Sequence, residues 1–114
     1  MFYSAERFNA YRIMWVIVMF DLPTETPENR RRYADFRKRL QKDGFMMFQY
    51  SIYARHCASR EKADVHIGRV KKWLPVEGQI CIMCITDKQF GELELYDGCL
   101  KRKNPHNPQQ LELF

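Results

Sequence analysis

The sequence is short of the features that mark several large protein classes. No apolar stretch approaches the roughly 20 residues that a membrane-spanning helix requires. Residues 1–12 mix polar and aromatic side chains, with no continuous apolar segment ahead of a small-residue cleavage site. No secretory leader is therefore expected, and the protein is expected in the cytoplasm without membrane contact. There are only five glycines, and they are scattered, so no glycine-rich phosphate loop is present. No Ser-His-Asp or Cys-His set stands out. His56 adjoins Cys57, but neighbours in a strand point to opposite faces. His66 reads as a helix-border residue.

Cysteine is also sparse. Cys57, Cys81, Cys84 and Cys99 are expected as free thiols rather than a disulfide framework. Cys81 and Cys84 have C-x-x-C spacing, yet they lie inside the apolar run 79–85, where positions three apart face opposite ways. A zinc knuckle needs a turn at that point and a second pair, and neither exists. A core role is favoured over a metal or redox role. Acidic residues are the minority: 14 Asp and Glu against 19 Lys and Arg give a formal charge of +5. Such an excess attracts phosphate polyanions and says nothing about fold.

What is present is enough for one packed domain. The chain has 114 residues, 46% of them hydrophobic and 14% aromatic. Residues 13–20 form a continuous apolar run rich in β-branched side chains, which predicts a strand buried on both faces. Asp21 ends it, and Leu22-Pro23-Thr24 breaks it. Thr26, Pro27 and Glu28 then suit the cap and first turn of a helix. Its core stripe is Tyr33, Phe36 and Leu40, and Asp43-Gly44 stops it. Residues 45–55 are strand-like, as either one long strand or two short ones around a tight bend. Ser59 can cap a second helix with Ala63, Ile67, Val70 and Leu74 on one face. Residues 79–85 form the next strand, Thr86 caps a short turn, and 93–96 are a candidate last strand.

The order β-α-β(β)-α-β predicts an α+β fold, a ferredoxin-like βαββαβ sandwich with a small C-terminal extension. The expected division is an N-terminal extension at 1–12, the domain at 13–98 and a partner-binding tail at 99–114. With both helices on one face, the other face of the sheet is left apolar. A second copy of the chain is its simplest cover, so a homodimer is expected.

Two features carry chemistry. Asp21 is the carboxylate placed directly after the buried first strand, where loops concentrate functional side chains. One carboxylate is a poor Mg²⁺ site, but a symmetric dimer can pair two copies to hold a metal and activate water. Asp before Leu-Pro is equally ordinary turn chemistry, and the residues alone leave both readings open. The first helix is strongly basic. At about 100° per residue, Arg31, Lys38 and Lys42 fall opposite the core stripe, with Arg32 and Arg39 beside them. A solvated helix face normally mixes signs. This one has little acidic relief beyond Asp35, which favours contact with a phosphate backbone. Phe45, Phe48, Tyr50 and Tyr53 suit either a base-stacking platform or core and dimer interface, and the accompanying Met46, Met47 and Ile52 favour the latter.

Taken together, Val18-Met19-Phe20-Asp21-Leu22-Pro23-Thr24, Arg31 on a basic helix, Gly44-Phe45 and Gln49-Tyr50-Ser51-Ile52-Tyr53 resemble the CRISPR-associated Cas2 family, notably the members that accompany type II systems. The likeness runs from about Ile13 to Phe90. It implies a ferredoxin-like homodimer, the Cas1 integrase as partner, and a role in spacer acquisition in which the dimer bridges two integrase dimers and supports duplex DNA. It also implies a Mg²⁺-dependent endonuclease activity on RNA or DNA, with Asp21 as catalytic residue and metal ligand. The ending Gln110-Leu111-Glu112-Leu113-Phe114 suits strand addition to the integrase through Leu111, Leu113 and Phe114. The same five residues resemble a sliding-clamp-binding peptide. A ribonuclease toxin of the virulence-associated VapD type, with the same fold and a strand-end aspartate, is the alternative function.

Overall fold

The computed structural model describes residues 12–104. The elements run β1 (Met14–Asp21), α1 (Pro27–Lys42), β2 (Met46–Gln49), β3 (Ile52–Cys57), α2 (Arg60–Lys72), β4 (Gln79–Thr86), α3 (Asp87–Gly91), β5 (Leu95–Asp97) and β6 (Leu100–Arg102). β1 to β4 form one antiparallel sheet in the order β2-β3-β1-β4. This is the ferredoxin-like arrangement.

Local chemistry sets the element ends. Thr26 caps α1 by accepting from the Asn29 backbone N–H at 3.0 Å, with Pro27 in the first turn. Gly44 follows with φ +91, a conformation that side chains with a Cβ resist. Ser59 caps α2, and Thr86 and Gln89 form a reciprocal capping box on α3. The ambiguous stretch resolves into two strands. Tyr50-Ser51 is the loop between β2 and β3, and a bulge lies between Met47 and Gln49. The sequence hid this turn because the loop lacks the Asn or Gly that two-residue hairpins prefer. Ser51 takes φ 62 there.

β1 splits the core by its period of two. Val16, Val18 and Phe20 face the helices and pack with Phe36, Leu40, Tyr53, Ala63 and Val70. Trp15 and Ile17 face the other way and pack with Ala54 and Phe90. That second cluster corrects the expectation of an uncovered sheet face. α3 folds back so that Phe90 stacks on Trp15 at 4.0 Å, while the Trp15 indole N–H donates to Asp87 at 2.6 Å. Asn104 then ties the chain down by donating to the Phe90 and Leu93 carbonyls. Among the described residues, the part of that face around Met83, 41% exposed, and Cys81 in β4 stays open.

Cys84 packs against the helix-side core, and Cys57 is buried within it. Cys81 instead is exposed, so it departs from the expected core role while keeping the opposed orientation expected of the pair. Leu74 also departs: α2 ends at Lys72 and Leu74 is 44% exposed. The boundary drawn at residue 98 falls inside the β5–β6 hairpin. Leu111, Leu113 and Phe114, and most of the N-terminal extension, lie outside the described residues. Among the described residues, no helix is long and apolar enough to cross a membrane.

Candidate functional site

Asp21 is the last residue of β1, and its exposed position follows seven residues of mostly buried strand. It sits opposite Gln79 at the start of β4. The β2–β3 loop closes the other side, where the Phe20 N–H donates to the Ser51 carbonyl at 3.1 Å. Together these segments line an open groove of about 420 Å³ that includes Asp21, Tyr50, Ser51 and Gln79. The hydroxyls of Ser51 and Tyr33 are 3.0 Å apart, which links the loop to α1. Arg30 holds the β1–α1 connection by donating to the carbonyls of Thr24 and Glu25 at 3.0 and 3.3 Å.

The polar side chains of the groove are the Asp21 carboxylate, the Tyr50 and Ser51 hydroxyls, the Gln79 amide and the Cys81 thiol, and all but the thiol offer the oxygen donors that Mg²⁺ favours. Each chain supplies one carboxylate there. Among the described residues, no three His, Cys, Asp or Glu side chains converge on a point that could hold a metal. The donor chemistry therefore suits Mg²⁺, and the ligand count calls for a second copy of Asp21.

The basic residues are arranged apart from the groove. Arg31, Lys38, Arg39 and Lys42 are all exposed along α1. Arg32 is half-buried and pairs with Glu28 at 2.8 Å. No described carboxylate lies within ion-pair distance of the other four. Arg32 and Arg39 also line a second groove, of about 340 Å³, with Lys72, Asp35 and Trp73. The predicted ridge thus divides: Arg31, Lys38 and Lys42 face solvent, whereas Arg32 and Arg39 border the chain leaving α2.

The four candidate aromatics separate by burial. Phe45 and Tyr53 are 2% and 1% exposed and belong to the core. Burial pushes the Tyr53 hydroxyl above the ordinary phenol value, against the Arg37 charge. Phe48 packs edge-on to Phe90 in the second cluster. Tyr50 stands out in solvent at 76% exposure.

Sequence reasoning missed one buried polar cluster. Asp43 accepts from Arg69 at 2.6 Å and meets His66 Nδ1 at 2.6 Å, while Arg55 donates to the Asp43 carbonyl at 2.9 Å. Burial alone would raise the Asp43 carboxyl, but the hydrogen bonds and charges of His66 and Arg69 outweigh it and hold it below its ordinary value. The available signal was an acidic residue at a helix C-terminus, where the dipole disfavours it.

The fold and site define a ferredoxin-like α+β protein with an open strand-end carboxylate and a predominantly basic first helix. Residues 14–93 match the family model described as CRISPR associated protein Cas2. The chain is 54% identical over 108 residues to the CRISPR-associated endoribonuclease Cas2 of Flavobacterium psychrophilum, covering 95% of this chain and 94% of that one. It is 52% identical over 101 residues to the protein of the same name from Parvibaculum lavamentivorans, covering 89% and 100%. For the like-named protein of Paracidovorax avenae the identity is 38% over 104 residues, covering 91% and 96%. The chain belongs to the Cas2 family.

Proposed function

We propose that the protein is a homodimeric CRISPR adaptation component that binds the phosphate backbone of duplex DNA through α1 and bridges dimers of the Cas1 integrase during spacer acquisition. The exposed, predominantly basic face of α1, interrupted by Asp35, carries this reading. Backbone recognition needs charge and shape rather than a precise catalytic constellation. The 16 residues of α1 extend about 24 Å, a length that can follow several consecutive phosphates. The remaining open sheet face, with Met83 and Cys81, supports pairing of two copies. Family membership favours this reading over the toxin alternative.

The test is a variant with Arg31, Lys38 and Lys42 all replaced by alanine. Its duplex-DNA affinity is expected to fall, and the slope of log affinity against log salt to become shallower by about 2.7. Spacer acquisition in cells supplying the integrase is expected to stop. Unchanged slope and acquisition would remove α1 as the DNA contact.

Asp21 supports a second activity, Mg²⁺-dependent phosphodiester hydrolysis, with RNA as the substrate class named for the relatives. The Asp21 carboxylates of two chains would hold Mg²⁺, which when bound supplies Lewis-acid polarisation and a more acidic water. Ser51 and Gln79 line the same groove and present hydrogen-bonding groups to a sugar or phosphate. Asp21→Asn keeps the size of the side chain and removes its charge. It is expected to abolish Mg²⁺-dependent cleavage while sedimentation still reports the dimer. Persistent cleavage by the purified variant would rule out Asp21 as its centre.

A further inference from the structure

An exposed aromatic ring at the mouth of a polar groove has a use that the basic helix does not. We infer that Tyr50, backed by Tyr33, is a stacking platform for one unpaired base of a single-stranded nucleic acid whose backbone enters the Asp21 groove. The inference rests on the second reading above, in which that groove receives a phosphodiester.

Tyr50 is 76% exposed, yet it is held in place. Its ring lies 6.2 Å from that of Tyr33 with an interplanar angle of 23°. Tyr33 in turn packs on Phe20 at 5.6 Å, and Phe20 immediately precedes Asp21 in β1. The outward stack therefore stands on the strand that carries the carboxylate. One face of Tyr50 rests against Tyr33, and its high exposure leaves the other available.

The loop that presents Tyr50 is kept in an unfavourable conformation. Ser51 has φ 62, the one non-glycine positive value among the described residues, at a cost of about 1 kcal/mol. Two contacts hold it: the Ser51 hydroxyl meets Tyr33 at 3.0 Å, and the Ser51 carbonyl accepts from Phe20 at 3.1 Å. A residue that departs from the rules of its turn and is clamped on both sides is a pre-organised one. Charge agrees with the placement. Arg37 of α1 is close enough to act electrostatically on Tyr50, where it opposes the raising effect of the Tyr33 hydroxyl on that phenol. A cation acting on that hydroxyl suits the phosphate that accompanies a stacked base.

Chemistry selects an unpaired base over a duplex. A base inside a helix presents its edges, whereas a splayed base presents a face that any aromatic ring can meet. The groove, at about 420 Å³, has room for a nucleotide-sized group. RNA and DNA single strands share this chemistry.

The full-length protein is tested in EDTA, so that hydrolysis plays no part. The probes are single-stranded RNA and DNA oligonucleotides of one sequence carrying 2-aminopurine, whose emission falls when it stacks. Wild-type protein and Tyr50→Trp are expected to quench it. Tyr50→Leu keeps apolar bulk but has no aromatic face; it is expected to lose the quench and about tenfold in affinity. Its duplex affinity and sedimentation are expected to match wild type. The two strands, compared, identify which sugar the site prefers. Undiminished quenching by Tyr50→Leu overturns the platform. An equal loss on duplex, or a changed oligomeric state, overturns it too, since Tyr50 would then act through the fold or between copies. Asp21→Asn separates the two ideas: with the carboxylate's repulsion of phosphate removed, it is expected to quench at least as strongly as wild type in EDTA while failing to cleave in Mg²⁺. If it cleaves, the hydrolytic reading falls and the quench still decides the platform.

Discussion

Asp43 occupies the C-terminal end of α1, where the helix dipole is unfavourable to a carboxylate, yet its side chain is only 8% exposed. His66 and Arg69, three residues apart on α2, compensate it and fasten the two helices together. Removing its charge leaves those donors without an anionic partner. Asp43→Asn is expected to cost about 2 kcal/mol at pH 7 in urea unfolding. The sign of the pH dependence follows from the lowered folded-state value. The carboxylate stabilises fully above its ordinary value of 3.8 and loses that contribution as pH falls through the folded value. The gap between wild type and variant is therefore expected to narrow as pH falls below 3.8 and to close once pH is below the folded value. A gap that stays constant from pH 7 to pH 3 would mean that charge is not what the carboxylate contributes. At this scale Asp21 was legible, because a polar residue ending an apolar run is a local signal. The partners of Asp43 and Ser51 were not, since they lie 23, 26 and 18 residues away in sequence.

The elements were legible where periodicity was long and the caps were chemically distinct. β1, α1, α2 and β4 fall close to their expected bounds, with Thr26, Ser59 and Thr86 capping as their side chains suggest. The β2–β3 hairpin was not resolved, because its turn contains Tyr50 and Ser51 in place of typical turn residues. Turns also shape the site from outside it. Gly78, in the α2–β4 connection, has φ +97, and a Cβ there would stand 2.6 Å from Leu22 Cδ2 and 2.8 Å from the Asp21 carbonyl. Gly78→Ala is expected to destabilise by about 1–3 kcal/mol and to displace the end of β1. Thermal unfolding and the position of Asp21 in a structure of the variant measure the two effects. Wild-type stability would mean that the turn relaxes without pressing on β1.

At the scale of the whole molecule, the sheet face opposite α1 and α2 is shared, among the described residues, between the chain's own α3 and an open region. Trp15 and Phe90 close one part, while Met83 at 41% exposure marks the part that a second copy would cover. Met83→Glu places a charge on that region without touching the helix-side core. It is expected to convert the proposed dimer to a folded monomer in sedimentation and circular dichroism, and to reduce the proposed Mg²⁺-dependent cleavage together with it. A cleaving monomer would show that one Asp21 suffices. By itself the sequence determined the α+β order, the basic face of α1 and the strand-end position of Asp21. These follow from local periodicity, capping chemistry and side-chain charge, which act over a few residues. Only the tertiary structure decided that Phe45 and Tyr53 are core while Tyr50 is exposed, that α3 covers Trp15, and that Asp43 joins His66 and Arg69. Those outcomes depend on which distant surfaces compete for the same burial, and nothing within a short window of sequence records that competition.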